Sequence, residues 1–459
     1  MNAERRPGSF ASKYDIVSTP TKQYPSIALS VLRKTIKCAN LSEDDVLLCR
    51  YIVRAFPWKS YFDDPQSAAD TFLELIPDER IAEECIRAIY FSTETAPKQL
   101  PLTLPQRESI ANAIFKQWDC CFESEVEEGN THINDWLSYG INTTRGMIVN
   151  LITKVLFEAK STGHLLPKSL QIEAFKKVLL DTLPIEKRCT KAVVAVLFSD
   201  YSKWCFIDFD FCNCHLVPIL EEDDWGSEAA WHGLAYDHCI TEDSWKSLSH
   251  SWISALDKRA LSETSHQQAL IDRFSIGVLS FEKAQEKKRL FAKCCTSSEQ
   301  ACQHALFKIK LWVDQLDKEK QQQEWDSWIK DLCLFVSEQD PLFKKHIGEN
   351  LARWIERCPA IRARIAVLLR DVEPIAFENG LFVQKGTLTS IANDSIDNSD
   401  KSTLLVFLLR GQSFFHYQED VEGALDLLNP REMEESDKNN LMDALSIIGM
   451  TEQAAKWDQ

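Results

Sequence analysis

Apolar residues return every three or four positions through most of this chain, and that period commits it to helices whose apolar faces need neighbours. Trp325, Trp328, Ile329, Leu332, Cys333 and Val336 form one stripe; Ile347, Leu351, Trp354, Ile355 and Cys358 form the next, stopped by Pro359. Two such helices joined by a short polar turn make an αα-hairpin. A hairpin of this kind hides its stripe only against another hairpin, which is the physical logic of a stacked helical array. No fixed repeat length is visible, so the stacking is expected to be irregular.

The same pattern begins upstream. Ser42-Glu-Asp-Asp45 reads as a capping box, with Leu48, Tyr51, Ile52, Ala55 and Phe56 following at helical spacing. Ser67–Ile76, Pro105–Trp118 and Met147–Ala159 repeat it. With only 14 Gly and 16 Pro in 459 residues there is little material for a turn-rich β protein. The fold expected is all-α: an irregular HEAT-like α-solenoid of stacked helical hairpins over residues 27–383. A loosely ordered, proline-containing lead-in over 1–26 precedes it. A polar linker over 384–402, rich in Asn, Asp and Ser, and an acidic helical segment over 403–459 follow. Ile207-Asp-Phe-Asp-Phe211 alternates with a period of two, and a small β-like element is expected near 204–217.

A net charge of −17 works against general affinity for nucleic acid or anionic membranes, because both are held chiefly by Lys and Arg. Residues 417–459 alone contribute −8 of it, with 11 acids against Arg431, Lys438 and Lys456. Fifteen cysteines, an odd number set largely within apolar helical patterns, read as packed thiols in a reducing compartment. The longest apolar run, Ala192–Phe198, is far short of the roughly 18 residues a membrane span needs. Neither a signal peptide nor a span is read, so the location expected is the cytoplasm.

No phosphate-cradling glycine loop, dinucleotide fingerprint, zincin helix or nucleophile elbow occurs, and no cofactor is expected. Cys212, Cys214 and His215, near Cys205 and His238-Cys239, carry zinc-type ligand atoms, but the spacing is neither ribbon nor finger. Packed free thiols are the plainer reading. Asp208 and Asp210 are the carboxylates a nuclease could use, although nothing beside them completes such a site. Within 344–370, Lys344, Lys345, Arg353, Arg357, Arg362, Arg364 and Arg370 face only Glu349 and Glu356, a local charge of +5. The first six are the candidate contact for an anionic partner and the one place where nucleic acid could be met; a solvated helix face is the alternative.

Trp136 and Gly140-Ile-Asn-Thr-Thr-Arg-Gly146 are followed by Val193–Ser199, Trp204, Ile207-Asp208, Leu216-Val-Pro218 and Ala229-Ala-Trp-His-Gly-Leu234. This order resembles the helical-repeat region behind the catalytic domain of large bacterial anti-phage proteins, notably the defence-associated sirtuins, over about residues 40–375. The resemblance implies a helical sensor or scaffold. It also implies that the killing chemistry, commonly NAD destruction, belongs to an N-terminal domain outside this chain; no NAD-binding residue carries over. The matched residues have a purely structural reading too: Gly146 as a close contact or helix cap, Gly233 as a helix–helix contact, Trp136 and Trp231 as core volume. The function expected is therefore a non-enzymatic recognition or scaffold subunit of a bacterial anti-phage system. Its partners would be a separately encoded defence effector or a phage protein. The alternatives are an effector enzyme, nuclease or NAD-consuming, and a regulatory partner of an ATPase or helicase.

Overall fold

The computed structural model describes residues 13–62, 64–94, 102–119, 133, 135–165, 170, 172–183, 188–221, 226–257, 266–339, 341–371, 384–411 and 418–457. Among them every regular element is helical and no strand occurs. No helix is long and apolar enough to cross a membrane. The chain divides into two units, Met1–Ser247 and Leu248–Gln459.

In the first unit, Ala192–Phe198 lies on the helix Arg188–Ser199, with each of its seven residues at most 1% exposed. A helix apolar on all sides belongs in the middle of a core. Trp136–Gly140, Thr144–Thr162 and Ser227–Leu234 surround this one. Thr144–Thr162 in turn leans on Ala82–Glu94 and Leu104–Phe115. The helix Glu43–Ala55 starts with the capping box foreseen at Ser42, whose hydroxyl oxygen accepts the Asp45 N–H at 3.2 Å while Asp45 accepts the Ser42 N–H at 3.1 Å.

In the second unit several helices pack on their next-but-one neighbours. Gln267–Phe281 meets Glu299–Val313, which meets Pro341–Arg357; Arg362–Asp371 meets Asn398–Arg410, which meets Glu435–Ile447. Both stripes read from the sequence are buried, with every member at most 1% exposed. Polar stitches follow the same step. Arg370 reaches Asp400, 30 residues on, and His346 reaches Glu299, 47 residues back. The connections thus repeat in space while their lengths vary.

Three local expectations are corrected. The alternation at Ile207–Phe211 is a junction between helices. Tyr201–Ile207 stops, Asp208 takes extended backbone, and its carboxylate accepts the Phe211 N–H at 3.0 Å to start Phe209–Phe211, which widens into a π turn over Cys212–Leu216. The expected linker 384–402 is also helical, as Thr387–Ala392 and the start of Asn398–Arg410. Its ends are capped: Asp397 accepts the Asp400 N–H at 2.7 Å, and Asp420, from the later helix Gln418–Leu427, accepts the N–H groups of Leu388 and Thr389 at 3.2 and 3.1 Å. Within the expected lead-in, residues 1–12 lie outside the described residues. From Lys13 the chain is helical, with Pro25 in the first turn of Pro25–Ile36, where a missing N–H costs nothing.

Candidate functional site

The groups nominated by the sequence do not converge. Cys212 is fully buried, whereas Cys214 and His215 are exposed on the same π turn, and none of the three joins a cluster of ligating side chains among the described residues. A hydrogen bond with Cys205, reinforced by burial, pushes the Cys212 thiol well above its usual range. Asp208 is occupied as a helix cap and by the Lys176 ammonium at 2.6 Å. Partial burial pushes its carboxyl up, but these donors outweigh it and hold the group below the usual range. Asp210 is exposed on the following turn.

The basic run is divided among different tasks. Arg362 is 2% exposed and works as an internal clasp. It donates to the Ile355 carbonyl at 2.7 Å, to Ser390 Oγ at 3.2 Å and to Asp394 at 3.0 Å. Arg364 grips Asp326, with both carboxylate oxygens at 2.9 Å. Arg353 lies over the Phe307 ring at 6.0 Å. Lys344 and Lys345 are half-buried. Arg357 is exposed and lines a cleft of about 550 Å³ with Glu356, Asp314 and Lys385. Of the six cations, Arg362 and Arg364 are thus taken up by the fold, and acids accompany Arg357.

The residues that carry the family resemblance are held by backbone geometry. A Cβ on Gly233 would lie 2.2 Å from the Ala195 carbonyl oxygen, and one on Gly140 would lie 2.6 Å from that of Ala192. Both helices press directly onto Arg188–Ser199. A Cβ on Gly146 would lie 2.0 Å from the Gly140 oxygen, within the turn that Thr143 closes by donating to Gly140 O at 2.8 Å and accepting the Gly146 N–H at 3.1 Å. Trp136 donates its backbone N–H to Nδ1 of buried His232 at 3.2 Å and its indole N–H to Glu228 at 3.2 Å. These residues thus serve as helix contacts, a cap and core, as their structural reading requires.

A concave site that the sequence did not disclose lies in the first unit. One wall comes from Pro57, which ends Glu43–Ala55 and turns the chain into Trp58–Tyr61. Trp58 is locked there by its indole donating to the Val53 carbonyl at 2.9 Å and by stacking on Phe72 at 4.4 Å. Phe56 tilts against it at 4.5 Å. The facing wall is Ala82–Glu94, which presents Glu84, Arg87, Ala88, Phe91 and Ser92. Between them is a cleft of about 690 Å³. Glu84 is 2% exposed and receives two hydrogen bonds of 2.5 Å from the half-exposed Arg54 guanidinium. Arg87 is steadied by Glu83 at 2.9 Å and by the Asn142 carbonyl at 2.8 Å. Arg54 and Arg87 line the cleft with their charges answered by Glu84 and Glu83, and Lys59 adds a further cation beside the aromatic floor. Such a lining suits a ligand with an anionic group on an apolar body. No hydrophobic period marks it, because its walls lie about 30 residues apart and one of them is a proline turn.

No protein-family model matches the chain, and no curated protein matches it. Among solved structures, the crystal structure of an engineered protein aligns with 92% of this chain and 99% of its own, at 13% identity and a TM-score of 0.39. That likeness is too loose to carry an argument.

Proposed function

We propose that this protein is a non-enzymatic helical recognition or scaffold subunit, and that the cleft between Trp58 and Phe91 receives the anionic, apolar element of a protein partner. The observation that supports this reading is the cleft itself, with cations fixed by hydrogen bonds around rigid aromatics. A site that is already shaped spends little binding free energy on ordering its own side chains. The setting in bacterial anti-phage defence, beside a separately encoded effector, rests on the resemblance at Trp136–Gly146 and Ala229–Leu234.

The test is affinity purification of the tagged full chain from its host, before and during phage infection, beside the double variant Lys59→Glu/Phe91→Ala. A stoichiometric partner whose retention falls at least tenfold in the variant, together with lost phage protection, is the expected result. Equal retention by both forms would remove the cleft from the reading; protection unaffected by deleting the gene would remove the defence setting.

A further inference from the structure

The cleft of about 550 Å³ in the second unit differs in kind from the one at Trp58, because each of the nine described residues that line it is polar, charged or glycine. An apolar group placed there would strip water from the lining and return no hydrogen bond, so the occupant that fits has a polar body. The walls are fixed from within. Arg362 forms the floor: its Nε donates to the Ile355 carbonyl at 2.7 Å, near the end of Pro341–Arg357, while its Nη1 donates to Ser390 Oγ at 3.2 Å and to Asp394 at 3.0 Å. One buried side chain thus ties the helix that carries Glu356 and Arg357 to the segment that carries Gln384 and Thr387.

Most charges in the cleft are already matched. Arg362 is paired with Asp394, Lys385 with Glu419 at 2.9 Å and Asp314 with Lys310 at 3.1 Å. Two are left. Half-buried Glu356 and exposed Arg357, on the last turn of Pro341–Arg357, form no ion pair among the described residues. The Gln384 amide and the Thr387 hydroxyl are likewise engaged by no other side chain there. The cleft therefore presents one cation, one anion and two neutral hydrogen-bonding groups on a framework that is held in place without a ligand.

We infer that this cleft binds a small polar zwitterion of the amino-acid class, with its carboxylate on the Arg357 guanidinium, its ammonium on Glu356 and its polar side chain toward Gln384 and Thr387. The guanidinium fork matches a carboxylate through two parallel hydrogen bonds. Glu356 offers acceptor oxygens only, which suits the three donors of an ammonium. A ligand of zero net charge also escapes the repulsion that a chain of net charge −17 exerts on a plain anion. The site uses no residue of the Trp58 cleft, so neither reading rests on the other.

Thermal unfolding of the full chain with each polar amino acid at about 10 mM finds the ligand, and isothermal titration calorimetry measures it. At least one amino acid is expected to bind saturably. Its affinity should fall about tenfold or more in Arg357→Ala, in Glu356→Gln, and when its amino group is acetylated or its carboxylate amidated, each change removing a charge-assisted hydrogen bond. The acetylated ligand should bind the wild type and Glu356→Gln alike, since the group that Glu356 would meet is gone; circular dichroism confirms that both variants are folded. Binding by none of the amino acids overturns the inference. So does a capped ligand that binds as tightly as its parent, binding that survives both substitutions, or inorganic phosphate that binds more tightly than every amino acid, which marks a plain anion site.

Discussion

Replacing Gly233 by alanine tests the close approach of Ser227–Leu234 to the central helix. In the isolated helix the change is favourable, since alanine is preferred to glycine by about 0.5–1 kcal/mol. In the folded unit the added Cβ would sit 2.2 Å from the Ala195 carbonyl oxygen and 2.8 Å from Phe198 Cβ, whereas non-bonded heavy atoms rest at about 3.5–4 Å. The obstacle is the backbone of a helix buried on all sides, so no rotamer change relieves it and the two helices must part by about 1 Å. Overpacking costs about 1–3 kcal/mol where side chains can adjust, and this site belongs at the top of that range. The net expectation is a loss of about 2 kcal/mol, or roughly 4–8 °C in the melting temperature of a unit of this size. Gly423→Ala is the matched control, because its Cβ would meet only the Thr389 hydroxyl at 3.3 Å, and it should be neutral or slightly stabilising. Thermal unfolding, with hydrogen exchange of peptides from 188–199 and 227–234 to locate the effect, distinguishes the two. Equal behaviour of the two alanines would refute the backbone-contact argument.

Three further outcomes follow from buried charges. Burial pushes the Asp237 carboxyl up to about 6 against the hydrogen bonds from Ser202, so the folded state binds this proton more tightly than the unfolded chain, and the group's contribution to stability falls as pH rises from about 4 through 6. Between pH 5 and 7 the wild type should lose about 1–2 kcal/mol that Asp237→Asn does not lose, read from urea midpoints at the two pH values. Arg54→Met strands the buried Glu84 and should cost about 2–3 kcal/mol, part of which returns in the Arg54→Met/Glu84→Gln pair; strict additivity in that double-mutant cycle would show no coupling. Arg362→Lys cannot hold Ile355 O, Ser390 and Asp394 together, so a cost of about 1–3 kcal/mol and faster hydrogen exchange over 384–394 are expected; unchanged exchange there would refute the clasp.

How much could be read from sequence depended on whether a residue's neighbours lay along its own helix. The stripes at Trp325–Val336 and Ile347–Cys358, and the box at Ser42, are local periodicities and local hydrogen bonds, and the structure keeps them. Ile207–Phe211 misled because two short helices meeting at Asp208 out of phase imitate a strand's alternation. The 384–402 stretch misled because Asp397 caps its own helix and Asp394 and Ser390 answer Arg362, so polarity marked helix ends and a clasp rather than an unstructured connection. The basic run looked continuous in sequence, yet Asp326 and Asp394, the partners that divide it, come from the helical turn Trp325–Ile329 before it and the bend that follows Thr387–Ala392. The cleft joins Trp58 to Phe91 through a proline turn and a distant helix, a juxtaposition without any one-dimensional trace.

The stitches of the second unit reach from one hairpin to the next, across 30 residues in one case and 47 in another. A joint of this kind constrains only the two hairpins that share it. Over evolutionary time, therefore, one hairpin can lengthen, shorten or be duplicated while the joints elsewhere stay intact, and descendants of one array can come to differ in length and register. Comparison of such chains by alignment from end to end loses the correspondence at each altered hairpin, whereas comparison joint by joint, matching a stripe and its flanking ion pair, retains it.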